Sequence, residues 1–559
     1  MSKQRGRFRG WTLAAALSFA TLAAAQQPPA ATAPPATAAP QVAGKITPEQ
    51  ANQLFSLVDE LIKYSSNETG LPIKSQVKRQ ITSRAIVESN LKEKFDEDES
   101  ARRLQRSEIV LKKFGLLDRD FALKPFLLQL LKEQIEAYYD SKTKTVYMLD
   151  WVGIDEQKPV LAHELTHALQ DQHSDLEKWG DQTPDDVSLD SPGDTGHLSK
   201  DEMDTARQAV VEGQATAVMM DYIIKPMNKS LVKDPEVMEY VQQQMSGSQS
   251  SPVLARAPLL LSASLLFPYR EGLGFEQDVW MDQGQTAAFT GTLDHPPTSS
   301  WEILNPREYE ARHTPAVPLL PNIHPLVDSL YKPYDIGQIG QLDLRILTEL
   351  FGGEQASSDL TPAWDGGLYW AGQRLNAKTP ADKAKIDSIA IFYLSAWKNA
   401  ASARAFAQLY ADELGRKYSS VQLESDSPNA AQASHSSGFK VFPPSASQPN
   451  ESSDAANSVP AALPGEQVYT TSEGPVVITR RGKLVFVAES FPLELARKLT
   501  ALVLDAQGTG EMKMAHAPAP GAAVVEPLTA SLIRFFSNCG VMKAAVDAAM
   551  LAGRSSGIH

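Results

Sequence analysis

Val160-Leu161-Ala162-His163-Glu164-Leu165-Thr166-His167-Ala168-Leu169 decides how this chain is read. The run contains no glycine or proline and is made of helix formers. On a helix, residues four apart share a face, so His163 and His167 point the same way. Two imidazoles at that spacing can hold one zinc ion, and the Glu between them can act on a water bound to it.

Two histidines leave the site short of a third protein ligand. His173 follows His167 by six residues, the spacing at which one class of zinc peptidases turns sharply on a glycine. Here that position is Gln170, so the helix is expected to continue. That carries His173 roughly 9 Å further along the axis, out of reach of the same ion. Glu212, in Val210-Val211-Glu212-Gly213-Gln214-Ala215-Thr216, is the other candidate. A carboxylate among valines on a buried helix is costly unless something pairs with it, and a metal ion would. Gly213 in a helix interior loses roughly 1 kcal/mol against alanine. Its small surface is expected to let this helix approach the His163–His167 helix closely, with Thr216 hydrogen-bonding a ligand.

The order of these pieces resembles a known family. Tyr138-Tyr139-Asp140 in one strand, a second strand at Thr145–Leu149, the His163–His173 run and then Val210–Thr216 are similar to secreted bacterial gluzincin-type zinc metallopeptidases of the zincin clan. The resemblance runs roughly from Thr47 to Leu330 and takes in Phe267–Gly272 and Asp294–Ser300. It is not a close match to thermolysin, which has an Asp where this chain has Thr216. The resemblance implies Zn²⁺ held by His163, His167 and Glu212. It also implies hydrolysis of a peptide or protein substrate, with Glu164 taking a proton from the zinc-bound water and passing it to the leaving amine. A tetrahedral oxyanion needs a further donor, and Tyr269 and His295 are candidates. The strand at Val146–Leu149 is expected to be an edge strand open to an extended peptide.

The remainder frames this centre. Met1–Ala25 reads as a secretory signal: Lys3, Arg5, Arg7 and Arg9, an apolar Trp11–Leu22, then Ala23-Ala24-Ala25 before Gln26. Residues 26–45 are an Ala/Pro-rich linker. Residues 46–330 are expected to be a mainly helical zincin-like α+β domain with a small sheet. Its helices are expected at Pro48 onward, Lys74–Lys94, Glu99–Phe114, Pro125–Glu136 and Asp201–Ile224, with Asp171–Asp201 an irregular excursion. Residues 334–506 alternate strand and helix patterns and read as an α/β accessory domain. Strands are expected at Ile386–Leu394, Val476–Thr479 and Leu484–Ala488, and Ala363–Gly367 is read as a turn. A low-complexity insert occupies 425–464, and 507–559 are a linker and a C-terminal helix. The lone Cys539 excludes an internal disulfide, and a net charge of −14 argues against nucleic acid as partner. Outside the signal, no segment is expected to insert stably in a membrane. The expectation is therefore a secreted or periplasmic zinc metallopeptidase. The alternatives are a non-proteolytic envelope binding protein on a zincin-derived scaffold, or a fortuitous motif on an ordinary amphipathic helix.

Overall fold

Thr47 starts the first helix by a reciprocal cap. Its hydroxyl accepts from the Gln50 N–H, and the Gln50 carboxamide accepts from the Thr47 N–H at 2.8 Å. The helix, Pro48–Thr69 (α1), buries Leu54, Val58 and Leu61 and ends on Gly70 in the left-handed region. The computed structural model describes residues 46–507 except 98, 136, 181–199, 235–236, 239–240, 242–250, 316–317 and 427–461, together with 532, 533 and 550. The signal segment 1–25, the linker 26–45, most of the insert 425–464 and nearly all of 508–559 lie outside the described residues. So does 181–199 of the expected excursion, which otherwise holds a short helix, Leu176–Gly180.

The expected helix over Lys74–Lys94 is two elements, a strand Lys78–Thr82 (β1) and a helix Arg84–Glu97 (α2). The strand's side chains hide its period, because Lys78 and Gln80 face solvent and Arg79 is drawn to Asp59 of α1 at 2.8 Å. Then follow helices Glu99–Phe114 (α3) and Leu123–Gln134 (α4), strands Tyr138–Asp140 (β2) and Thr145–Leu149 (β3), and the motif helix Ile154–Ser174 (α5). That helix starts before Pro159 rather than after it: the proline sits in its second turn and forgoes one backbone bond. Next come Leu176–Gly180 (α6), Lys200–Ile224 (α7), Leu259–Gln283 (α8) and Ser300–Leu304 (α9).

The small sheet has the order β1-β3-β2, with β1 parallel and β2 antiparallel to β3. This corrects the expectation for Val146–Leu149. Both sides of β3 are paired, and the edge strand on the side of β2 is Tyr138–Asp140.

The second sheet has seven strands, Tyr331–Gln338 (β4), Trp364–Arg374 (β5), Ile389–Trp397 (β6), Val421–Asp426 (β7), Glu466–Thr471 (β8), Gly474–Arg481 (β9) and Leu484–Glu489 (β10), in the order β4-β5-β6-β10-β9-β8-β7. Every pairing in it is antiparallel, so the region is α+β rather than a parallel α/β arrangement. Ala363–Gly367 is no turn: Trp364 opens β5 opposite Trp397, with a bulge before Gly366. Helices Gln341–Leu360 (α10), Ala400–Asp412 (α11) and Leu493–Ala506 (α12) accompany the sheet. Alternate residues face opposite ways. Tyr369, Tyr393, Ile478 and Val487 share the core of the helical region, whereas Trp370, Phe392, Val477 and Phe486 pack under Leu495 and Leu499 of α12. The described residues belong to one compact unit, Lys45–His559.

Charge is buried where α3 meets this sheet. Lys113, fully buried, donates to Glu473 at 2.6 Å and to Ser490 Oγ at 2.7 Å. Nearby, Lys417 and the hydroxyls of Tyr410 and Tyr418 all donate to the buried Glu489 carboxylate. Burial lowers the pKa of both lysines, that of Lys417 to about 8. No helix among the described residues is long and apolar enough to cross a membrane.

Candidate metal centre

Helix α5 presents His163 and His167 on one face, their ring centroids 4.6 Å apart and the planes nearly perpendicular. Helix α7 crosses it and delivers Glu212. Glu212 Oε2 lies 3.1 Å from His163 Nε2 and 3.4 Å from His167 Nε2. The third side chain of the motif, Glu164, has its donor atoms within 4.8 Å of those of both histidines, and this group can hold a metal ion. Two carboxylates thus compete for the same ion. Glu212 is the one that touches both rings; its spacing to His167 matches the edge of a tetrahedron built on metal–ligand bonds near 2.0–2.1 Å, roughly 3.3–3.4 Å, and its spacing to His163 is slightly shorter. The Tyr139 backbone N–H of β2 engages Glu164 instead. Two imidazoles and one carboxylate fit a divalent transition cation with a position left for water.

The protonation pattern follows from burial. Desolvation pushes Glu164 up to about 7, and Glu212 adds to the rise while His167 and the Tyr139 N–H oppose it. Desolvation holds His163 down at about 4. For His167 desolvation is the largest influence and disfavours the charge, but the Glu212 carboxylate and its hydrogen bond together overcome it and raise the ring. Glu212 is the mirror case. Burial alone would keep it neutral, and the charge on His167 with the bonds from both rings holds it ionised. Without a cation, His167 is therefore biased toward its charged form and Glu212 toward its ionised form.

Around these groups β2 is stitched to α5. Tyr139 Oη donates to Asp171 at 2.7 Å, and Lys144 Nζ lies 2.8 Å from the same carboxylate. His173 is turned away from the cluster and pairs with Asp294 at 2.9 Å. Tyr269 is brought in: its ring lies 6.2 Å from that of His163, nearly parallel to it. It stands on the long helix α8. His295 is exposed, and its contacts are made by its backbone, which accepts from Tyr309 Oη at 2.7 Å.

Two expectations for α7 are corrected. Gly213 does give a close helix approach, but to α8 and not to α5: a Cβ there would lie 2.4 Å from the Gly272 carbonyl. Thr216 Oγ1 is buried without a hydrogen-bond partner and supports no ligand. The side chain that does hydrogen-bond one of the two imidazoles is Gln170, whose Oε1 lies 2.9 Å from His167 Nδ1. Its position in the sequence was legible as the missing glycine turn, but its bond to His167 was not. On His163 the opposite ring nitrogen, Nδ1, makes no well-formed hydrogen bond, although the Ala215 carbonyl acts on the ring.

No family model, curated protein or solved structure matches this chain.

Proposed function

We propose that the protein is a zinc-dependent metallopeptidase acting outside the cytoplasm, in which His163, His167 and Glu212 hold Zn²⁺ and Glu164 is the general base. The observation that carries this reading is the convergence of Glu212 Oε2 on both histidine Nε2 atoms while Glu164, on the same helix, stays engaged by β2. A site that only stored a metal would have no use for this second buried carboxylate. When bound, Zn²⁺ supplies Lewis acidity toward a water and a carbonyl oxygen.

The chain's own groups do the rest. Glu164, raised to about 7 by burial, has a proton affinity suited to taking a proton near neutrality and returning it. Tyr269, stacked by His163, is the better placed of the two candidates to donate to an oxyanion.

Cleavage of an unstructured protein such as casein is the test. The mature chain is expected to cleave it, to stop with a chelator and to recover with Zn²⁺. Zinc held with no cleavage from a broad peptide library would overturn the peptidase and favour a binding protein.

Metal binding is expected to be linked to pH. A protonated His167 must give up its Nε2 proton to become a ligand, so apparent Zn²⁺ affinity is expected to fall by about tenfold per pH unit on the acid side of the raised His167 pKa. Calorimetry at pH 7 in buffers of different ionisation enthalpy should show close to one proton released per Zn²⁺. A buffer-independent enthalpy would contradict a charged His167.

A further inference from the structure

Behind His167 lies a run of side-chain amides whose direction can be worked out from partners that only accept. Gln214 Nε2 lies 2.8 Å from the Ala288 carbonyl, 3.0 Å from the Phe289 carbonyl and 2.8 Å from Thr292 Oγ1. Carbonyl oxygens cannot donate, so this end of Gln214 is its NH₂ group and the other end is its oxygen. That oxygen faces Gln170 Nε2 at 2.9 Å, and the same nitrogen lies 2.9 Å from the Val211 carbonyl. Gln170 is thereby fixed twice over with its nitrogen toward α7. Its oxygen must then face His167 Nδ1. An amide oxygen accepts only, so Nδ1 carries the proton. Gln170 and Gln214 are fully buried.

We propose that Gln170 and Gln214 are positioning residues that set the tautomer of His167, holding a hydrogen on Nδ1 so that Nε2 is the atom left to face Glu212 and a metal ion. The proposal rests on the reading of the centre as a metal site for its purpose, but its central claim, the Nδ1 hydrogen, holds with or without metal. The relay is anchored in the turn Ala287–Gly291 and at Thr292, which also contacts the buried Glu276 of α8 at 3.3 Å. Helices α5, α7 and α8 and that turn are thus joined through one ring nitrogen. His163 has no side-chain amide on its Nδ1, and the Ala215 carbonyl acts on that ring.

The test uses full-length protein labelled with ¹⁵N-histidine. Long-range ¹H–¹⁵N spectra should show His167 protonated at Nδ1, in metal-free and zinc-loaded samples alike. A wild-type His167 with its proton absent from Nδ1 overturns the proposal outright, whatever the metal does. Gln170→Met, close in volume but unable to accept, should lower Zn²⁺ affinity by about 10- to 100-fold in competition with a chelator. Gln170→Glu keeps the acceptor and should retain the Nδ1 proton. Gln170→Met with wild-type affinity and an unchanged His167 spectrum would also overturn it. Absence of zinc binding by the wild type would sink the metal reading but leave the Nδ1 result to decide the relay.

Discussion

Glu164→Gln is expected to lower peptide cleavage by about 10²- to 10⁴-fold while zinc content stays at the wild-type level. The two halves of that result have separate causes. Gln matches Glu in shape and can stay beside the Tyr139 backbone, but it cannot take a proton from water. The proposed ligands His163, His167 and Glu212 are untouched, and loss of a carboxyl whose ionisation burial already opposes removes a cost from the fold. Stability is therefore expected to hold or rise slightly. Turnover in wild type and variant beside metal analysis of each reads both. Full activity in the variant would remove Glu164 from the chemistry, and loss of zinc would make it a ligand in place of Glu212.

The second large effect is expected from Gly213→Ala. Helix propensity alone gives this change a gain of roughly 1 kcal/mol, because glycine is a poor residue for the middle of α7. The crossing decides against it. An added Cβ would meet the Gly272 carbonyl carbon and oxygen at 2.4 Å and its Cα at 3.0 Å, all backbone atoms that cannot rotate aside. At the same crossing a Cβ on Gly272 would lie 2.2 Å from the Ala209 oxygen. Helices α7 and α8 must separate, and overpacking of this kind costs about 1–3 kcal/mol or more. The net expectation is a loss of stability, with weaker zinc binding because Glu212 is the adjoining residue. Denaturant unfolding and chelator competition measure the two. A variant as stable as wild type would show that the crossing is looser than described.

How far the sequence reaches depends on whether a feature is local. The His163–His167 helix, the cap at Thr47 and the hairpin at Gly482 are legible because each is settled within a few residues. Glu212 was accessible by a different route, as a charge stranded among Val210, Val211 and Val218. The strands β1 and β5 were not. In β1 the alternation is masked by charged side chains, and in β5 Gly366, Gly367 and Gly372 depress strand propensity. Gly372 is there because a Cβ would strike the Trp370 ring at 2.3 Å, a demand set by the fold rather than by neighbours in sequence. The relay through Gln170 and Gln214 was out of reach for the same reason. Its glutamines acquire meaning only when α5, α7 and the turn at Ala287–Gly291 are brought together, whereas the hydroxyl of Thr216, chosen by its spacing, makes no hydrogen bond.

The pairing of Lys113 with Glu473 sets an order on the life of the chain. The two residues are 360 positions apart, and Ser490 lies further still. When the helical region has left the ribosome, α3 still carries an amine whose partners have yet to be synthesised. The buried amine of that helix has its partners Glu473 and Ser490 only once β8, β9 and β10 are in place. The centre at His163 belongs to the first half of the chain, but the body that supports it is completed by the second. The helix that carries Lys113 and the strands beside its partners are therefore expected to reach their final arrangement together, late in synthesis.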